Sequence, residues 1–463
     1  MNNYDEYANA VFGDKRRSNR FVKLLGQLAK NAAACISAAI GNFHQAKAAY
    51  RFIGNDDVTV EAITQITREV TIANMLADKP NEDSNEALTV LVAEDTTSVN
   101  YNGLKNTEGL GPLSNSKKAL GIEVHSALAV SVDGGIYGLL WQKLWTRSVE
   151  EFGKTVANRR KPVEEKESYK WIETMETIEK SLPENINVVY VCDREGDMYE
   201  LFCKAEELKT RYLCRRRINR NTKGEGGTGK LDDIVQSLPV AVVTELKVPR
   251  DSHTGRVART AKIAIKYGKT KITKSDALLR TNKELPNAVE VYVVTVEEID
   301  APEGQEKILW NLITNVPTET KEEALVCIKW YTQRWKIETF HHTLKSGCKI
   351  EELQSEKAER LEKLIAIYSI IAVEIMHLTM IGRLMPDASC ELLLGEEEWQ
   401  LLYRVSNKTR QVPEEAPSVK EAVLMIARLG GFLARKSDGD PGTTVIWRGL
   451  TTFMTLAEHA SYI

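Results

Sequence analysis

Read by its apolar positions, the chain changes period several times. Across residues 18–34 and 42–53 apolar side chains recur every three or four positions, the spacing of amphipathic helices, and Thr59 reads as the start of a third helix over 60–76. After a polar linker at 80–85 the period shortens. Leu88-Thr89-Val90-Leu91-Val92-Ala93 is an apolar run suited to a buried strand that ends at Glu94-Asp95-Thr96-Thr97, and Asn187-Val188-Val189-Tyr190-Val191-Cys192 is another that ends at Asp193-Arg194-Glu195-Gly196-Asp197. Between them, strands at 125–132 and 135–141 flank the turn Asp133-Gly134-Gly135, and a helix is expected over 164–181. Further strand patterns lie at 241–248, 260–267, 289–296 and 308–314. Helical spacing then returns over 330–345, over 357–385 up to Pro386, and over 396–406 and 419–429. The apolar residues 446–454 suit either a partner surface or a private core.

The stretch Trp330-Tyr331-Thr332-Gln333-Arg334-Trp335-Lys336-Ile337-Glu338-Thr339-Phe340-His341-His342-Thr343-Leu344-Lys345 combines both kinds of signal. On a helical wheel Tyr331, Arg334, Glu338 and Lys345 fall within an arc of about 60°, while Val326, Trp330, Ile337, Phe340 and Leu344 form an adjacent apolar stripe. A carboxylate flanked by a guanidinium, an ammonium and a phenol suits a metal ligand among phosphate-gripping groups. The same spacing also serves an ordinary amphipathic helix, since Arg334 and Glu338 form an i,i+4 ion pair.

Composition narrows the class. With 463 residues, two or three domains are expected, and 43% hydrophobic with 27% charged residues is ordinary for a soluble globular protein. The amino terminus lacks a signal-peptide pattern and no unbroken run of eighteen apolar residues occurs, so a cytoplasmic, nucleoid-associated protein with no membrane partner is expected. The cysteines, seven in number, show no zinc spacing and read as free thiols. A net charge of −3 argues against nucleic acid on its face. Its distribution argues otherwise: residues 204–230 carry a basic excess of six and residues 245–283 an excess of eight, where polyphosphate would bind. Two strand-end aspartates also stand where ligands gather in open α/β sheets, and with Glu338 they would hold two Mg²⁺ ions about 4 Å apart.

Taken together, Tyr331, Arg334, Glu338 and Lys345 reproduce a Tyr-x2-Arg-x3-Glu-x6-Lys signature, and Ala93-Glu94-Asp95-Thr96-Thr97-Ser98 and Cys192-Asp193-Arg194-Glu195-Gly196-Asp197 look like two aspartate motifs. In these the chain resembles the bacterial cut-and-paste DDE transposases of the insertion-sequence-four family. The likeness begins near Phe12-Gly13-Asp14-Lys15-Arg16-Arg17, continues at Ala49-Tyr50-Arg51-Phe52-Ile53 and recurs at Ile426-Ala427-Arg428-Leu429-Gly430-Gly431-Phe432. It implies an α/β fold: a ribonuclease-H-like catalytic core (76–385) with an antiparallel β insertion at about 215–315, a helical DNA-binding domain (1–75) and a helical dimerisation domain (386–463).

The resemblance also implies chemistry. Asp95, Asp193 and Glu338 are the expected catalytic metal ligands for two Mg²⁺ ions, with Mn²⁺ as a substitute, in end nicking, hairpin formation, hairpin opening and strand transfer. Tyr331, Arg334 and Lys345 occupy phosphate-gripping positions, Trp310 that of a tryptophan receiving a flipped base, and Arg20, Lys30, Arg51, Arg215 and Arg217 those of DNA contacts. The implied partners are double-stranded DNA, as terminal repeats and target, and a second copy in a synaptic homodimer. Gly196 replaces an alanine of the pattern, His342 replaces a lysine, and the chain starts about ten residues later than expected. A non-catalytic DNA-binding inhibitor and a structure-selective nuclease of the same core are the competing functions.

Overall fold

The computed structural model describes residues 4–30, 36–40, 42–78, 87–113, 116–150, 161–224, 227–248, 257–282, 284–435 and 438–460. It is a mixed α/β fold with a mostly antiparallel sheet and helical termini. The strands are β1 Leu88–Asn100, β2 Gly111–Leu113, β3 Ser116–Ser131, β4 Ile136–Trp145, β5 Ile186–Cys192, β6 Arg211–Arg215, β7 Asn221–Gly224, β8 Gly227–Lys230, β9 Val242–Val248, β10 Arg259–Thr273, β11 Ala288–Ile299 and β12 Leu309–Thr314. Two compact units divide the chain: one is Met1–Ser84, Thr96–Gly153 and Lys336–Ile463, the other Asn85–Asp95 and Lys154–Trp335.

The second unit holds the sheet that matters for chemistry. The first half of β1 pairs in parallel with β5, and β5 in parallel with β6. From β6 onward the pairing is antiparallel, through β12, β11 and β10 to β9. Buried on both faces, β5 reads as a continuous apolar run. The 164–181 helix forms only from Lys170 to Glu179, after two short 3-10 turns.

In the first unit the N-terminal helices are Lys15–Lys30, Ile36–Ile40, Phe43–Ile53 and Val60–Ala77. Asn42 caps the third by accepting from the His44 and Gln45 amides, and Thr59 caps the fourth by accepting from Ala62. Each such cap contributes about 1 kcal/mol. Phe12, Phe21 and Phe52 pack edge to face and stacked to form a small core there.

The Ala358–Leu384 helix is long and apolar enough to cross a membrane by length and composition, although charges at 359, 360, 362, 363, 374 and 383 interrupt its apolar run. It is nevertheless a core helix, because 78% of its most apolar stretch is buried inside the protein.

One open alternative is decided and one expectation is corrected here. Ile446, Trp447, Leu450 and Phe453 are not a partner surface: on the Thr443–Ala460 helix they are buried in the chain's own core. And β1 does not end at Glu94-Asp95. It runs on to Asn100, because Thr96 and Ser98 find partners in β3, at His125 Nδ1 (2.8 Å) and Glu123 Oε2 (2.8 Å).

Candidate active site

Strand register places the acidic residues. Ala93 and Val191 are the last pair of the parallel β1–β5 ladder, and the same register extended by two residues sets Asp95 opposite Asp193. Cys192 pairs with Cys214, so Asp193 stands opposite Arg215, and Arg215 pairs with Leu312 of β12. Side chains alternate along a strand, so Asp95, Asp193, Arg215, Leu312 and, two residues before it, Trp310 share one face. Neighbouring strands lie about 4.8 Å apart, which makes this a row of two acids and a cation across three strands, with the Trp310 ring on the same face two residues along β12.

The opposite face carries the complementary row of Glu94, Cys192, Cys214 and Ile313, all fully buried. Cys192 Sγ donates to Glu94 Oε1 at 3.8 Å. Burial pushes the Glu94 carboxyl well above the usual carboxylate range, opposed by hydrogen bonds from Cys192 and Thr174. The Cys192 and Cys214 thiols are likewise pushed up by burial. Alternation in Ala93-Glu94-Asp95 puts the candidate acid Asp95 on one face and its buried neighbour Glu94 on the other.

Each polar member of this row is held locally. Asp193 directly follows β5 and caps the turn Arg194–Gly196, its Oδ1 accepting from the Glu195 amide at 2.7 Å. Lys170 anchors that turn from beneath through Glu195 Oε2 at 3.0 Å. The Arg334 guanidinium stands 3.8 Å from Asp95 Oδ2. Arg215 donates to the Leu309 carbonyl at 3.2 Å; burial lowers its pKa, while Tyr331 beside it favours the charged form. Trp310 meets Tyr331 edge to face, ring centroids 5.7 Å apart at 61°. Burial pushes the Tyr331 phenol up to about 12, against the pull of Arg334 and Arg215, so it is a neutral hydrogen-bonding group at ordinary pH.

The single helix expected over 330–345 is corrected. One helix, Lys321–Gln333, is capped by a Thr320–Glu323 capping box; Arg334 is a turn residue; a second helix covers Trp335–His342; and Thr343–Gly347 winds as a π-helix. A break and a wider turn both shift the phase of a 100° wheel. Tyr331 is therefore buried with Ala324, Cys327 and Ile328, whereas Val326, assigned to the apolar stripe, is 41% exposed. Ile337, Phe340 and Leu344 are buried as expected.

Glu338 and Lys345 belong to the first unit, both half-buried. Lys345 has its pKa lowered by burial, offset by Glu351 and Glu123. Among the described residues no group of three or more His, Cys, Asp or Glu side chains is gathered as a metal cluster. Asp95 and Asp193 offer hard oxygen donors at register-neighbouring positions, and that donor chemistry fits a hard divalent cation.

The expected DNA contacts separate into kinds. Lys30 and Arg51 are exposed, and Arg51 shares its helix face with Lys47, Tyr50 and Phe43, the last 77% exposed. Arg20 is half-buried, its Nη1 without a hydrogen-bond partner among the described residues. Arg217 is exposed beyond β6. Several cations of the two basic windows are spent within the sheet, on pairs such as Lys269–Glu290 and Arg259–Glu298, so less of that charge faces outward than the count suggests.

Three family models match the chain: a transposase DNA-binding domain over residues 4–58, a transposase DDE domain over 141–373, and a transposase Tn5 dimerisation domain over 370–463. The DDE match spans half of the chain. The chain belongs to the Tn5-like DDE transposases. Among solved structures it is similar to a piggyBac transposase synaptic complex with hairpin DNA, at 9% identity and a TM-score of 0.35, covering 100% of this chain and 80% of that one. That likeness is too distant to carry argument. The transposase DDE match contains Asp193, Trp310, Tyr331, Arg334, Glu338 and Lys345, while Asp95 lies upstream of it.

Proposed function

We propose that this transposase performs cut-and-paste transposition through a ribonuclease-H-like core: end nicking, hairpin formation and opening, and strand transfer into target DNA. The observation that carries the reading is one sheet face on which Asp95, Asp193 and Arg215 follow one another across neighbouring strands, with Trp310 on the same face two residues along β12 from the Arg215 partner Leu312. Asp95 and Asp193, joined by Glu338, would hold the divalent cations, with Mg²⁺ as the ion and two per site. When bound, such ions polarise phosphoryl oxygens and lower the pKa of the attacking hydroxyl.

The chain's own residues do the rest. Arg334 and Arg215 neutralise non-bridging phosphate oxygens, Lys345 adds a third cation, and the neutral Tyr331 phenol donates a hydrogen bond. Trp310 offers a face to an extruded base, an interaction worth roughly 1–3 kcal/mol. Exposed Lys30, Lys47 and Arg51 bind the DNA end through its backbone, and the C-terminal segment pairs two copies so that both ends are processed together.

Incubating a labelled donor end, a plasmid target and Mg²⁺ with the purified protein tests this. Joined products are expected. Cleavage with no joining would assign a structure-selective nuclease, and binding with no cleavage an inhibitor. Asp193→Ala is expected to abolish nicking and joining while band-shift affinity stays within about threefold, because backbone contacts by cations dominate affinity. Loss of binding in step with cleavage, in a folded variant, would make Asp193 structural.

A further inference from the structure

Four residues past Asp193 stands another acid that the chemistry above does not use. Asp197 is 1% exposed, and its carboxylate is fully committed. Oδ2 accepts from the backbone amides of Arg217 (2.6 Å) and Ile218 (2.9 Å), and Oδ1 accepts from Arg220 Nε at 3.0 Å. Arg220 Nη2 also reaches the Asp197 carbonyl at 2.7 Å, and the guanidinium lies over the Phe202 ring, 5.3 Å from its centroid. Phe202 in turn stacks on Tyr212 of β6. On the other side of the loop the Arg216 amide donates to the Asn311 carbonyl at 2.7 Å, and its guanidinium pairs with Asp232.

We propose that Asp197 is a positioning residue that holds loop 215–220 so that Arg217 meets a DNA phosphate beside Asp193. The proposal rests on the DNA-processing reading and deepens it. Its logic is one of allotted charges. Arg216 and Arg220 are consumed by Asp232 and Asp197, whereas Arg194 and Arg217 are exposed and make no ion pair among the described residues. Asp197 also grips Arg217 by its backbone amide, which fixes where the side chain departs and leaves the guanidinium available. The five residues 193–197 thus tie the metal-ligand candidate at one end to the basic loop at the other. Cys214 Sγ, donating to the Asp193 carbonyl at 3.3 Å, closes the same link from β6.

Asp197→Asn tests it with little change in shape. Whichever way the amide turns, its NH₂ replaces one acceptor and confronts either the two backbone amides or the Arg220 fork, so the loop loses its anchor. End-DNA affinity is expected to fall about tenfold. The slope of log affinity against log salt should become shallower by about 0.9, the contribution of one phosphate contact. Arg217→Ala should show the same shallower slope, and the double variant should be no shallower than Arg217→Ala alone. Thermal melting is run on every variant.

Asp197→Asn that melts lower yet keeps the wild-type slope would overturn the proposal and leave Asp197 a purely structural acid. A wild-type slope in Arg217→Ala would overturn it as well, even if Asp197→Asn failed to fold. Wild-type protein that binds no end DNA under any salt condition would instead overturn the functional reading on which the proposal stands.

Discussion

Trp310 shows how one side chain serves two neighbours. Its ring packs on Tyr331, yet it remains half-buried, so a face is left for another ring. Removing it costs both: the aromatic pair contributes about 0.5–1.5 kcal/mol to stability, and base stacking contributes to the step in which the DNA end must bend. Trp310→Ala is expected to leave first-strand nicking within about threefold while slowing hairpin formation about tenfold or more, a loss of at least about 1.4 kcal/mol in that step. Trp310→Phe should restore stability and most of the hairpin rate. Time courses of nicked and hairpin species beside a thermal melt decide the matter; equal slowing of both steps with lower stability would make Trp310 a packing residue.

Elements were legible wherever periodicity alone decides them. Apolar runs located β5, β10, β11 and β12, apolar spacing located the helix after Asn42, and Thr59 marked the start of the next, since each is a local pattern that burial then reinforces. What escaped detection was set by contacts remote in sequence. No proline or glycine marks the interruption at Arg334, whose backbone stays right-handed helical; there Tyr331 packs on Trp310 and Arg334 approaches Asp95. β1 continues past Asp95 for partners on β3, about thirty residues away along the chain. The glycine at 196 was legible only as a departure from a pattern, and the structure gives it a cause. A Cβ there would lie 2.5 Å from the Cys192 Cβ, a rigid neighbour at the end of β5. Gly196→Ala, although it restores the residue expected from the resemblance, should therefore destabilise the protein by about 1–3 kcal/mol through overpacking. A denaturant melt with an unchanged midpoint would show that the turn relaxes freely.

Over the whole molecule, charge and fold tell different stories. A net charge of −3 hides exposed cations on the N-terminal helices and on the loop beyond β6, and three matched domains lie along one chain. The buried row behind the acids adds a handle of another kind. Cys192 and Cys214 are fully buried, free and held protonated by burial, so an alkylating reagent can reach them only when the surrounding sheet opens. Modification at these two thiols then becomes a clock for opening, read by mass spectrometry with no catalysis involved. End DNA that binds the native form alone should slow that clock by the factor 1 + [DNA]/Kd, about a hundredfold at a hundredfold excess over Kd. Rapid modification in native buffer, indifferent to DNA, would mean that the sheet breathes locally at β5 and β6. A slow, DNA-sensitive clock would weigh inactive variants and active ones on the same scale.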